Sequence, residues 1–379
     1  MRIIDRYLLR QFVQVFIICF FSLTGIYVVF DAFTHLEAFL RCGKGVQLLK
    51  VIGVYYAVHS TFFFDQCSNL LVLMAAMFTV AWIQRHNEMT ALMAAGVSRR
   101  RIVTPVLIAA AAIILLAAAN REFVIPRFQE ELAQQPSDLS THSVQAVLPQ
   151  RDNLTDVLIS GRTAVPAERR IESPDFLVPA GLADYGKHWS AVNAYYQPPA
   201  AGRPGGYLLD NVLKPKNLPQ KPSLLWEGKP VLITPRDRPD WLTPGQAFVT
   251  SDVTFDLLTE DGKTLRAFAS TAELIHTLRN RSCDFGADVR VTIHSRIVQP
   301  LLDLTLLFLG LPLIVTRERR NVFMAIGLCM GVVAALMLLE MGCWELGRSC
   351  LIGPALAAWV PLMIFVPAAA GISRPMWQS

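Results

Sequence analysis

The chain has 379 residues, 53% of them hydrophobic and only 17% charged, with a formal net charge of +5. The apolar residues gather at both ends and leave a polar, proline-rich middle, which excludes a single soluble domain and points to two membrane blocks around a soluble insertion. The surplus positive charge sits mostly in arginines beside the apolar runs, so it reads as a topology signal and gives no reason to expect nucleic acid.

Crossing about 30 Å of hydrocarbon takes about 20 mostly apolar residues, and six segments qualify, at roughly 12–34, 51–83, 102–120, 297–316, 321–341 and 350–372. The first follows "DRYLLRQF". It is longer than the apolar part of a signal peptide and no small-x-small cleavage site follows it, so it reads as a span. Beyond it lie Arg41 and Lys44, on the side opposite to that expected of topology-setting charges; they are candidates to meet lipid phosphate. The second run is too long for a straight span and must tilt or emerge. Deep within it is Asp65, with Asn69 one turn on as a hydrogen-bond partner. A charge in hydrocarbon is costly, so Asp65 is expected to face an internal cavity.

Between spans two and three lies "QRHNEMTALMAAGVSRRR", Gln84 to Arg101. Asn87 is a suitable N-cap, Glu88 suits the positive end of a helix dipole, and Gly96 is a stop signal, which together predict a short helix over about 86–97. Ser98 is placed to cap span three. Met89, Leu92, Met93 and Val97 form one apolar stripe. The stripe either lies on the membrane or docks in a groove of a soluble partner, with Glu88 meeting a cation at the rim; the residues leave both readings open.

From Asp152 to Asp256 short β-branched and aromatic runs alternate with Pro, Gly and Asn: "DVLIS", "AVNAYYQ", "GYLLDNV", "SLLWEG", "PVLIT" and "AFVTSDVTFDL". No helix of crossover length separates them, so an antiparallel sandwich or jelly roll is expected. "STAELIHTLRNR" then reads as a helix capped by Ser270 or Thr271, and a further helix runs from about Ala287 into span four. "GLADYGKH" ends in His188 where a phosphate-binding loop needs Ser or Thr, and a strand-like run follows, so it is not read as a nucleotide site. There is no catalytic constellation, metal-ligand spacing or cofactor motif.

Span four carries Asp303 about two turns in, and span five carries Gly327 and Gly331, whose spacing suits close helix packing. Cys42 and Cys343 fall near the outer ends of spans one and five, where a contact between two subunits would bring them together. Arg2, Arg6, Arg10, Arg85, Arg99, Arg100, Arg101, Arg317, Arg319, Arg320 and Arg374 share one side of a six-span topology. This places both termini in the cytoplasm and the insertion outside.

The segment around Glu88, "DRYLLRQF" at the start, "REFVIPRFQEEL" after span three and "HSRIVQPLLDLTLLFLGLPLIV" at the entry to span four, in that order and spacing, resemble the lipopolysaccharide-export permeases LptF and LptG. The resemblance covers both membrane blocks; within the insertion it is one of length and strand character. It implies a membrane α-helical fold of six transmembrane helices, with a periplasmic antiparallel β-sandwich or jelly-roll insertion between helices 3 and 4. The implied domains are 1–121, 122–296 and 297–379. It implies an inner-membrane permease subunit, not itself an enzyme and without a cofactor, that pairs with a second permease subunit of the same family. A cytoplasmic ABC ATPase (LptB-like) dimer would drive it. Lipopolysaccharide or a related lipid would enter between span one of one subunit and span five of the other, and pass to a periplasmic LptC/LptA-like bridge. Glu88 matches the coupling-helix glutamate that pairs with an ATPase arginine. The chain departs from the family where the outer half of span one, usually basic, carries Asp31 and Glu37. The other reading is a mechanotransmission protein of the FtsX or MacB type, which has four spans.

Overall fold

The computed structural model describes residues 3–42, 46–133, 145–179, 184–200, 203–226, 228–238, 240–280, 282, 286–315 and 322–377. In chain order the helices are α1 (Ile3–Thr34), α2 (Leu36–Cys42), α3 (Val46–Arg85), α4 (Glu88–Ala94), α5 (Arg99–Ala119), α6 (Gln129–Ala133), α7 (Glu260–Phe268), α8 (Thr271–Leu278), α9 (Gly286–Val315), α10 (Val322–Arg348) and α11 (Pro354–Trp377). Among the described residues, eleven strands lie between α6 and α7. The chain divides into a helical unit, Met1–Leu36, Gly45–Phe128 and Gly286–Ser379, and a β-rich unit, Glu37–Lys44 and Gln129–Phe285.

Among the described residues, six helices are long and apolar enough to cross a membrane, as the sequence predicts. With 40 residues, α3 is about 60 Å long, twice the hydrocarbon thickness, so it emerges from the bilayer. In the bundle, α1 packs on α3 and α5, while α9 packs on α10 and α11 and joins the two groups through α3 and α5. Leu8, Phe12, Val72, Val80, Ile102, Leu306, Leu311 and Cys329 are buried in one core. Gly310 makes its close approach possible: a Cβ there would stand 2.6 Å from Leu73 Cδ1 and 2.9 Å from Cys329 Sγ. The most apolar stretch of α3 is 61% buried, against 6% for α1 and 22% for each of α10 and α11. The outer helices therefore present most of their apolar surface to lipid or to another chain.

The β-rich unit is antiparallel throughout, because its strands are joined without crossover helices. Its centre is β7 (His188–Gln197) against β8 (Gly206–Lys214), followed by β11 (Ala247–Thr250), β10 (Lys229–Ile233) and β9 (Leu224–Trp226). On the other edge of β7 the sheet forks. Asn193 to Tyr195 pair with β5 (Arg170–Glu172), and His188 to Ser190 pair with β6 (Asp175–Leu177). The β5 branch continues through β4 (Thr163–Val165) to β1 (Gln145–Ala146). The β6 branch continues through β3 (Leu158–Ser160) to β2 (Gln150–Arg151). Trp189, Tyr207, Phe176, Ile159, Ile171 and Val231 fill the core. Its two polar rings are satisfied: Trp189 Nε1 donates to the Tyr185 carbonyl at 3.0 Å, and the Tyr207 hydroxyl donates to the Val253 carbonyl at 2.9 Å.

Each strand-like run holds a strand, but "AFVTSDVTFDL" is extended only over Ala247–Thr250; Phe255–Leu258 coils into a 3₁₀ turn. Helix α7 was not foreseen. Its sequence "EDGKTLRAF" has little apolar content to announce it, and it starts where the Thr259 hydroxyl accepts the Gly262 N–H at 3.1 Å. Ser270 and Glu273 form a reciprocal capping box on α8, as the sequence suggested for Ser270.

Trp189→Ala removes the largest fully buried side chain of the β-rich unit and should destabilise that unit by about 3–5 kcal/mol. Chymotryptic digestion of the full chain in detergent, followed by peptide mapping, checks this. Cleavage within 145–280 should accelerate while the helical unit stays intact.

Candidate functional site

Helix α4 is bounded by backbone chemistry at both ends. Asn87 adopts a left-handed conformation (φ 59°) and its side chain makes no cap bond. It holds the N-cap position the sequence suggested, where its carbonyl accepts the Ala91 N–H at 3.1 Å, and its left-handed backbone also ends α3, because asparagine tolerates that conformation. At the other end Gly96 (φ +80°) donates to the Met93 carbonyl at 2.9 Å, and Val97 donates to the Leu92 carbonyl at 3.0 Å. That is a Schellman stop, so the helix is Glu88–Ala94, shorter than the expected 86–97. Ser98 precedes α5 as expected but forms no side-chain cap bond.

The apolar stripe turns inward. Met89 is 4% exposed and belongs to the transmembrane core, with Leu92, Met93 and Val97 packed against it. The stripe is therefore committed to its own bundle and is not a free lining for a partner's groove. The outward face is Thr90, Ala91 and Ala94, all exposed and small. Glu88 lies at the edge between the two faces, where its carboxylate accepts the Tyr7 hydroxyl at 3.2 and 3.3 Å. That bond ties the start of α1 to the start of α4. Close by, α1 and α5 enclose a groove of about 320 Å³ lined by Asp5, Leu9, Arg101, Thr104, Pro105 and Ile108.

The second polar feature lies at the far end of the bundle. Asp65 is about 20 residues from Arg85, which is about 30 Å of helix, the thickness of the hydrocarbon. It is 7% exposed. The Arg121 Nε donates to both its carboxylate oxygens, at 3.0 and 2.9 Å. The last turn of span three widens into a π-helical turn, Asn120–Val124, which carries Arg121. The neighbouring Asn120 Nδ2 donates to the Thr61 carbonyl at 2.9 Å, so two consecutive side chains fasten α5 to α3. Arginine 121 escaped the sequence reading, although an arginine just past an apolar run is a signal for a partner carboxylate. Asn69 does not fill that place: its side-chain oxygen accepts the Leu70 N–H. Asp303, half-buried on α9, accepts Gln299 Nε2 at 3.1 Å.

The remaining candidates stand apart. Arg41 belongs to α2, and Lys44 lies outside the described residues. A Cβ on Gly327 or Gly331 would meet nothing within 4 Å, so neither glycine packs against this chain's described atoms. Cys343 is buried within this chain, and the Cys42 side chain lies outside the described residues.

A family model for the lipopolysaccharide export system permease LptF/LptG matches residues 6–152 and 236–374. The chain belongs to the LptF/LptG family. It is a permease subunit of the lipopolysaccharide export ABC transporter, a multi-pass membrane protein whose ATPase is a separate protein. No curated protein matches the sequence. The matched stretches of this LptF/LptG permease hold both helical blocks, with Tyr7, Glu88, Asp65 and Arg121. The unmatched stretch, 153–235, holds β3 to β10.

Arg121→Gln removes the hydrogen-bonded cation of the buried Asp65 carboxylate and leaves it the charge of Arg296. Stability should fall by about 2–4 kcal/mol, less than for a fully enclosed pair because 22% of the arginine side chain is exposed. The double variant Asp65→Asn/Arg121→Gln should regain more than half of that loss. Denaturation midpoints of the single and double variants in one detergent measure the coupling.

Proposed function

We propose that the permease lies in the inner membrane with both termini cytoplasmic, and that α4 is the docking helix for a cytoplasmic ABC ATPase dimer. The observation that carries this reading is the division of α4 into two faces. The stripe Met89, Leu92, Met93 and Val97 anchors the helix to the bundle, and Thr90, Ala91 and Ala94 face outward with Glu88 at their edge. Small residues let a partner's groove close on the backbone, and a carboxylate at the rim offers a charge-assisted bond to an ATPase arginine. Tyr7 already holds that carboxylate, so ATPase movement felt at Glu88 is passed to the start of α1. Helix movement becomes lipid movement through α1 and α10, which lie in separate halves of the bundle and carry open apolar faces. In a dimer with a second family member, α1 of one subunit would meet α10 of the other, with the open Gly327 and Gly331 face at that seam. Lipopolysaccharide or a related lipid would enter there, with Arg41 and Lys44 meeting its phosphates, and pass to the periplasmic sheet and an LptC/LptA-like bridge.

Two substitutions separate docking from packing. Glu88→Arg should leave the permease in the membrane but lower ATPase co-purification at least tenfold, the loss expected for a charge-assisted bond of about 1.5–3 kcal/mol. Ala91→Trp should block docking sterically with the stripe untouched. Undiminished ATPase recovery with both variants would refute docking through α4.

A further inference from the structure

At the opposite end of α1 and α3 one tyrosine holds a carboxylate, and further aromatic rings pack on that tyrosine or on one another. Tyr56 Oη donates to Asp31 Oδ2 at 2.9 Å. The Tyr27 ring meets Tyr56 edge-on, with centroids 6.5 Å apart, and stacks on Phe63 at 4.8 Å. Tyr55 meets Tyr56 edge-on at 5.2 Å and stacks on His59 at 3.9 Å. His35 Nδ1 lies 3.4 Å from Asp31 Oδ1 and 3.1 Å from the Asp31 carbonyl oxygen. The Asp31 side chain is 19% exposed, so it is held in place yet reachable.

Two comparisons within the molecule separate this cluster from ordinary packing. Asp65 is taken up by Arg121, a permanent cation, whereas Asp31 pairs among the described side chains with His35, which is a cation only when protonated. Depth differs as well. Asp31 is about 26 residues beyond Asp5, and Tyr56 about 29 residues before Arg85, which puts both about 40 Å along their helices, past the hydrocarbon and at the level of lipid headgroups. An aromatic belt alone would account for tyrosines there. It does not account for a carboxylate fixed by one tyrosine inside a group of rings from two helices. Ring faces and a carboxylate are the partners of an ammonium group: the π faces attract the cation and the acid neutralises it.

We propose that Asp31, Tyr27, Tyr55 and Tyr56 form a binding site for the ammonium group of a lipid head. Both an aminophospholipid of the bilayer and an amine-bearing form of the transported lipid present that chemistry at this depth. The site stands on its own geometry and takes from the family reading only the choice of lipids to test.

The test is direct binding, so it does not depend on transport or on the ATPase. The full-length permease in detergent is titrated with phosphatidylethanolamine or phosphatidylglycerol of identical acyl chains, and with lipopolysaccharide carrying or lacking amine substituents, and bound lipid is counted by native mass spectrometry. The wild type should retain the amine-bearing member of at least one pair about tenfold better. Asp31→Asn and Tyr56→Phe should bring that ratio to parity without changing phosphatidylglycerol retention. Tyr27→Leu and Tyr55→Leu leave the carboxylate intact and should lower the ratio about threefold each; they carry the test if Asp31→Asn fails to fold. Preference within the phospholipid pair alone makes the site a holder of bilayer lipid, and preference within the lipopolysaccharide pair puts it on the export route; either supports the proposal. Parity in the wild type overturns it, and so does a preference that all four variants keep.

Discussion

Hydrocarbon offers no hydrogen bonds, and that single constraint organises the helical unit. A charged group that the long helices carry past the membrane surface is costly unless another group of the protein meets it or it reaches the headgroups. Asp65 shows the first solution. Its carboxylate would be costly in hydrocarbon, and Arg121 meets it from the widened last turn of span three. The extra residue in a π-helical turn changes the angle at which side chains leave the helix, and here it brings Arg121 and Asn120 onto the same neighbour. Asp31 shows a second solution: it takes the hydroxyl of a tyrosine on α3.

The same economy shapes the arginine-rich end. A seven-residue helix is too short to be stable alone, so α4 depends on packing. Burying Met89 and half-burying Leu92, Met93 and Val97 fixes it against the bundle, and the Schellman stop at Gly96 turns the chain directly into span three. A helix held this way acts as a rigid handle. On the docking role proposed for α4, force on its outward face would pass into the core shared by α1, α3 and α5. Glu88 sits where that handle meets α1, through Tyr7.

Packing inside the bundle is equally selective. Gly310 and Gly347 admit neighbouring side chains closer than any Cβ would allow, and they weld α9 to α3, α10 and α11. Gly327 and Gly331 have the spacing associated with helix packing, yet their face of α10 is open. An open small-residue face on one helix and an almost wholly open α1 suit the sideways lipid entry proposed for this permease.

What the sequence determined by itself are the features set by local rules. Six spans follow from apolar length, the end of α4 from one glycine, the α8 cap from Ser270 and Glu273, and the strand runs from alternating β-branched and aromatic residues. Family membership was legible too, because the matching stretches lie in the membrane blocks, where these rules act most strictly. Tertiary structure alone decided the rest. Asp65 and Arg121 are 56 residues apart, and no local pattern links them. The α4 stripe is equally amphipathic whether it faces a partner or its own bundle; only the position of the core chose inward. Which glycine packs depends on what stands opposite it, and the fork of the sheet at β7 depends on strands from two directions competing for one edge. Each is a contact between distant segments, and its energy is defined only once the fold has brought them together.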